Sequence, residues 1–174
     1  MNAPSKSINE TTVTIVGAGI AGAATAFFLS QRPGIRVRIL EKEPSPGLHA
    51  TSRNAAMIRQ LVAPVDLALL AAEGTEFIEQ WARKSADDVF RPTGGIIAGD
   101  EAALRRLTEA SIDGLETTPV AASDMSAHIP GWRPSNDDHS GILVHGDGVV
   151  DVAALHEYFL REAQEAGAEL KVAT

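Results

Sequence analysis

An α/β chain that opens with a β-α-β unit is what the sequence predicts, and three observations carry that prediction. Thr12 to Val16 (TVTIV) is a β-branched run that stops at glycines, the pattern of a buried parallel strand. Ile20 to Gln31 (IAGAATAFFLSQ) is small and apolar on most faces and halts at Pro33 and Gly34, so it reads as a buried crossover helix. Arg36 to Leu40 (RVRIL) is a second strand, ending at Glu41. In that order the three segments make half of a nucleotide-binding fold, with a right-handed crossover expected.

The alternation of strand and helix continues downstream. Residues 43–56 (EPSPGLHATSRNAA) have loop composition. Pro64 opens a helix through Lys84, in which Leu67, Leu70, Ala71, Phe77, Ile78 and Trp81 recur at helical spacing and predict a core-facing stripe. Phe90 to Ala98 reads as one strand containing a Gly pair, and Asp100 as the cap of a helix from Glu101 to Ile112. Residues 116–138 show no strong period and read as a long loop with one short helical turn. A brief strand at Ile142 to His145 and a turn at Gly146-Asp147-Gly148 follow. Asp151 then caps a helix through Ala166, Gly167 stops it, and Glu169 to Val172 forms a last strand.

Composition narrows the function classes. With 174 residues and 44% hydrophobic content the chain can build a packed core. A net charge of −8 opposes nucleic acid and anionic membrane surfaces as partners. The absence of cysteine removes disulfides, thiolate metal sites and a thiol nucleophile. The polar opening MNAPSKSINETT lacks the apolar centre of a secretory signal and reads as a disordered lead-in; no run approaches the length of a membrane span, and a cytoplasmic location is expected.

The chemistry-bearing motif is Gly17-Ala18-Gly19-Ile20-Ala21-Gly22, of the form GxGxxG, set between strand and helix as its mechanism demands. Gly17 permits the tight turn, Gly19 lets the backbone approach a pyrophosphate, and Gly22 lets helix and strand pack closely. Amides from Gly19 to Gly22 then face the phosphates, helped by the helix dipole. Glu41 ends the second strand about twenty residues after Gly22, where an acidic side chain accepts hydrogen bonds from a ribose and repels a 2′-phosphate. The pair defines a Rossmann-type dinucleotide site but does not separate FAD from NAD, which share the ADP half.

The segment that follows, Gly47 to Arg59, makes the distinction. With Thr51, Ser52, Arg53, Asn54, Ala55 and Ala56 in the order (S/T)-x-R-N-(A/S)-(A/G), the sequence resembles the D-amino-acid oxidase superfamily, which includes glycine and sarcosine oxidases. Arg91-Pro92-Thr93-Gly94-Gly95 and Gly146-Asp147-Gly148-Val149-Val150-Asp151 extend the likeness, while Ala56 stands where that family often has glycine. The resemblance implies FAD as cofactor and a Rossmann-type FAD-binding domain with the beginning of a second, substrate-binding α+β domain. It divides the chain into a lead-in (1–11), the first part of the FAD domain (12–84), the start of the substrate domain (85–150) and a return to the FAD domain (151–174). The cofactor-binding residues it implies are Gly17, Ala18, Gly19, Ile20, Ala21, Gly22, Glu41, Lys42, Thr51, Ser52, Arg53, Asn54, Ala56 and Met57. Chemically, Thr51 and Ser52 can donate to phosphate oxygens, Arg53 can neutralise pyrophosphate charge, and Asn54 can bond a flavin or ribitol atom. Some related enzymes attach flavin through a histidine in the region of His49; non-covalent binding is the expectation here.

No metal is expected. His128, His139, His145 and His156 lack paired ligand spacing, and His139 with Asp137 and Asp138 reads as a solvated loop. Trp81 and Trp132 read as packing residues. No catalytic acid, base or nucleophile is assigned. The function the resemblance implies is oxidation of an amino acid or secondary amine to an imine by an FAD-dependent enzyme of which this chain is an amino-terminal part. The alternatives are one subunit of a split oxidoreductase completed by a second chain, and a dinucleotide-binding module without turnover.

Overall fold

In a computed structural model of the chain, residues 10–109, 111–133 and 139–174 are described. By its contacts the chain divides into two compact units, one running to Ala55 and resuming at Asp151–Thr174, the other Ala56–Val150. The helix from Val65 falls in the second of these, whereas the sequence had grouped residues 12–84 together.

In the first unit, β1 (Thr11–Val16), α1 (Ile20–Ser30) and β2 (Ile35–Leu40) form the expected β-α-β unit. The strands pair in parallel, Thr11 with Ile35 through Val16 with Leu40. After the second unit the chain returns as α5 (Val152–Glu165) and β9 (Glu169–Lys171), which adds to β2 in parallel to give the order β1-β2-β9. Asp151 caps α5 as expected, its Oδ1 accepting the Ala154 amide at 2.9 Å. The two helices pack on each other through Phe27, Tyr158 and Phe159, with ring centroids 5.2–5.8 Å apart. Val37 and Ile39 of β2 lie beneath, both buried. The expected buried crossover helix buries one face, through Ala23, Ala26 and Phe27, while Phe28 is 48% exposed.

The second unit holds two small antiparallel sheets. One has the order β3-β8-β4, from Met57–Ile58, Gly148–Val150 and Phe90–Arg91; the other has the order β5-β7-β6, from Gly95–Gly99, Ser140–Val144 and Thr117–Val120. The single strand expected over Phe90 to Ala98 is therefore two strands in different sheets. Pro92 supplies no ladder donor, and Gly94 turns the chain at φ +70°. Strand β6 lies in the stretch read as loop, and its edge position tolerates Pro119. The expected short helical turn is present as a 3-10 turn (Ala122–Asp124) running into α4 (Met125–His128). Asp100 caps α3 (Glu101–Glu109), accepting the Ala103 amide at 2.7 Å. Leu104 of that helix closes a core with Leu61, Ile142 and Val144.

Helix α2 (Val65–Lys84) exists, but its inward face is not the one the leucines suggested. Ala68 and Thr75 are buried, while Leu67 and Leu70 are 48% and 65% exposed. Ala68 and Thr75 form the buried stripe and the leucines lie to one side of it. The lead-in residues 1–9 and the loop residues Asp137 and Asp138 lie outside the described residues, and β1 begins at Thr11.

Asp147, 1% exposed, accepts the Gln60 amide at 2.9 Å through Oδ1, and its own carbonyl accepts the Gly94 amide at 2.9 Å. Burial pushes the Asp147 carboxyl above its ordinary range, partly opposed by the Gln60 amide and by the charge of Arg59. A raised folded pKa means a contribution to stability present below the ordinary carboxylate range and lost as pH rises through the folded value. Asp147→Asn keeps the acceptor and removes the titration. Thermal denaturation from about pH 4 to 7 is therefore expected to favour the Asn variant increasingly as pH rises; a difference independent of pH would contradict this. Ala56 adopts φ +58°, the left-handed region, while its carbonyl accepts the Val150 amide at 2.9 Å. An alanine there costs roughly 1 kcal/mol that glycine avoids. Ala56→Gly should raise stability in urea unfolding by up to about 1 kcal/mol, and a loss of stability would refute the assignment of strain.

Candidate functional site

The turn between β1 and α1 is shaped by its glycines. Gly17 sits at φ +95°, a conformation closed to most side chains. At Gly22 a Cβ would overlap the carbonyl of Gly17 and press on Ile15, so the helix can begin this close to the strand only without a side chain. Gly19 is the N-cap residue, extended at φ −73° and ψ −179°, with no side-chain cap. The first amides of a helix have no intrahelical acceptor, and α1 carries no acidic residue in its first turn. The helix itself therefore supplies no acidic side chain to its positive end.

Three side chains from other segments hold this turn. Glu41, buried at the end of β2, accepts the Ala18 amide at 2.7 Å through Oε2 and the Glu43 amide at 2.9 Å through Oε1. These bonds, that from Glu43 first, hold its carboxyl below the ordinary range against the opposing effect of burial, so it stays ionised. Thr51, in a 3-10 turn at Ala50–Ser52, accepts the Ile20 amide at 2.9 Å through Oγ1. An acceptor hydroxyl still has its own proton to donate. His156, on α5, lies 2.7 Å through Nε2 from the carbonyl of Ala18. Sequence spacing gave no sign of that contact, because it joins two residues 138 positions apart by packing alone.

The remaining residues of the sequence-derived set are distributed more widely. Ser52 donates to the carbonyls of Leu48 and His49 at 3.0 and 3.1 Å, and Asn54 donates through Nδ2 to the carbonyl of Thr51. Both hydroxyl and amide thus brace their own turn. Arg53 is exposed at the end of that turn. Lys42 is exposed and pairs with Glu43 at 3.5 Å. Ala56 and Met57 belong to the second unit, Met57 pairing with Val149 in the ladder between β3 and β8. His49 lies 2.9 Å through Nε2 from Glu43 Oε1, and that hydrogen bond is the main reason the Glu43 carboxyl sits below its ordinary range.

This donor set fits an ADP-containing cofactor. Outward amides at a helix start suit a pyrophosphate. At Gly19 a Cβ would come within 3.0 Å of Thr51 Oγ1, so the missing side chain leaves a cradle in front of the turn. The ionised carboxylate of Glu41, each of whose oxygens has a lone pair beyond the one already used, suits ribose hydroxyls.

Residues 12–174 match the DAO family, described as FAD dependent oxidoreductase. The chain is 31% identical over 114 residues to a tRNA 5-methylaminomethyl-2-thiouridine biosynthesis bifunctional protein of Magnetococcus marinus, a match covering 62% of this chain and 17% of that protein. It is 27% identical over 166 residues to an L-2-hydroxyglutarate dehydrogenase of Indibacter alkaliphilus, covering 91% of this chain and 41% of that one. Among solved structures, an L-amino acid deaminase from Proteus myxofaciens superposes with a TM-score of 0.71 at 25% identity, over 95% of this chain and 38% of that one. The chain spans less than half the length of each of these relatives. The matched region takes in both strands of the β-α-β unit, its glycine turn and the return helix, and the chain belongs to the FAD-dependent oxidoreductases, with FAD as its cofactor.

Proposed function

We propose that the chain is the amino-terminal, ADP-gripping part of an enzyme that oxidises an amino acid or a secondary amine to an imine. The observation that carries this reading is the turn at Gly17–Gly22 with its ionised partner Glu41, set in a chain whose family is one of FAD-dependent oxidoreductases. The amides of Gly19, Ala21 and Gly22 are the ones to receive the pyrophosphate, since that of Ile20 is held by Thr51. Thr51 turns its hydroxyl proton toward a phosphate oxygen while accepting from Ile20. Glu41 takes the ribose hydroxyls. The glycine turn, Thr51 and Glu41 would hold FAD, which would supply the hydride acceptor for oxidation of the substrate. This chain's residues grip and orient; the residues that hold the substrate belong to the larger protein, and binding of FAD at His49 is non-covalent. A second reading is favoured by the relative that acts on L-2-hydroxyglutarate: oxidation of a 2-hydroxy acid to the keto acid.

Flavin fluorescence titration tests the grip. Glu41→Gln should weaken FAD binding by about 1–2 kcal/mol through loss of a charge-assisted bond, and Gly19→Val should weaken it further by filling the cradle. Unchanged affinity in both would mean the turn does not hold the cofactor. For turnover, the isolated chain is expected to bind FAD yet oxidise none of glycine, sarcosine, proline, D-amino acids or 2-hydroxy acids at a measurable rate in peroxide and dye-reduction assays, because orientation of the substrate, worth roughly 7–11 kcal/mol of barrier, is not supplied. Sustained turnover by the chain alone would contradict the division of labour, and turnover of hydroxy acids only, after addition of a completing polypeptide, would select the second reading.

A further inference from the structure

The peptide groups on either side of Ala18 are each tied to a side chain from a distant part of the first unit. Ala18 is fully buried, at 0% exposure. Its amide donates to Glu41, and its carbonyl meets His156 Nε2 at 2.7 Å. A carbonyl oxygen only accepts, so Nε2 is the protonated nitrogen and His156 is the donor. The imidazole is half-buried and is placed by the helix that carries it. It is carried on α5, whose start is fixed by the Asp151 cap and whose face packs on α1. The ring edge carrying Nδ1, Cε1 and Nε2 also lies close to Gly47, where a Cβ would stand 3.0–3.6 Å from those three atoms.

The consequence follows from peptide geometry. A trans peptide is planar, with its C=O and N–H directed oppositely. The carbonyl of Ala18 and the amide of Gly19 are two ends of one such plane. Holding the carbonyl toward His156 therefore aims the Gly19 N–H away from α5, and that amide is the first of those assigned to the pyrophosphate. Glu41 fixes the preceding plane by its hold on the Ala18 amide. Without a donor at position 156 the Ala18 carbonyl would be buried and unpaired, and rotation of the plane would be its route to a new partner.

We propose that His156 is a positioning residue for FAD: by donating to the Ala18 carbonyl it sets the Ala18–Gly19 peptide so that the Gly19 amide faces the pyrophosphate. The inference rests on the proposed assignment of this turn to the pyrophosphate. The test compares His156→Gln, which can still donate at the position of Nε2, with His156→Leu, which keeps bulk and cannot donate. FAD dissociation constants are measured on the whole chain, and amide hydrogen exchange is followed in peptides covering residues 17–22 of the cofactor-free protein. Expected are a rise in dissociation constant of at least about tenfold and faster exchange over 17–22 for the Leu variant, with the Gln variant within about threefold of the parent in both. Equal behaviour of the two variants, whether both unchanged or both impaired, would overturn the proposal, since it would leave His156 only a space-filling role. A parent chain that takes up no FAD would contradict the assignment of the turn, whereas the contrast in exchange between Leu and Gln decides the role of His156 with no cofactor present.

Discussion

The central contact of the cofactor turn in the first unit is one hydrogen bond, the Ala18 amide to the buried carboxylate of Glu41 at 2.7 Å. It can form only because the turn after β1 is tight enough to bring position 18 beside the end of β2, and the turn is tight only because positions 17 and 22 lack side chains. The bond works in both directions. It fixes the backbone of the turn, and, with the stronger effect of the Glu43 amide, it helps keep the carboxylate ionised although buried, so that a negative charge stands near the positive end of α1. The chain following β9 adds to this arrangement: Thr174 donates to the carbonyl of Glu41 at 3.1 Å and Ala173 to that of Glu43 at 3.0 Å. Residues far apart in sequence thus converge on the end of β2.

The legible parts of the fold were those with strong local signals. The β-branched runs of β1 and β2, the glycine turn, and the Asp100 and Asp151 caps are dictated within a few residues, and each stands where the sequence puts it. The strands missed were β3, β8 and β6. The first two are two and three residues long, too short to show a period, and the third contains Pro119, which argues against a strand unless its edge position is known. Helix α2 misled because leucines dominate a count of apolar residues, whereas the face that packs is the one whose small side chains, Ala68 and Thr75, permit close approach. In each case the deciding contact is tertiary.

The same division holds at the site. Gly17, Gly19 and Gly22, through their backbones, and Glu41, through its place at the end of β2, are singled out by local sequence signals within one β-α-β unit. Thr51 could be assigned only by resemblance, although its contact with Ile20 gives it a physical reason. Ser52 and Asn54 carry groups suited to a phosphate or a flavin, but the turn that contains them uses those groups for its own stability, as short polar side chains in turns commonly do. His156 carried no signal at all. Its partner is a backbone carbonyl, and nothing in residue type or spacing foretells which carbonyl a helical histidine will meet.

The proposed ADP grip is this turn with this carboxylate. A crystal structure of the chain with FAD bound measures it directly. Pyrophosphate oxygens are expected within hydrogen-bond distance of the Gly19, Ala21 and Gly22 amides, with ribose hydroxyls on Glu41. A cofactor seated away from Gly17–Gly22, or one whose ribose does not meet Glu41, would contradict it.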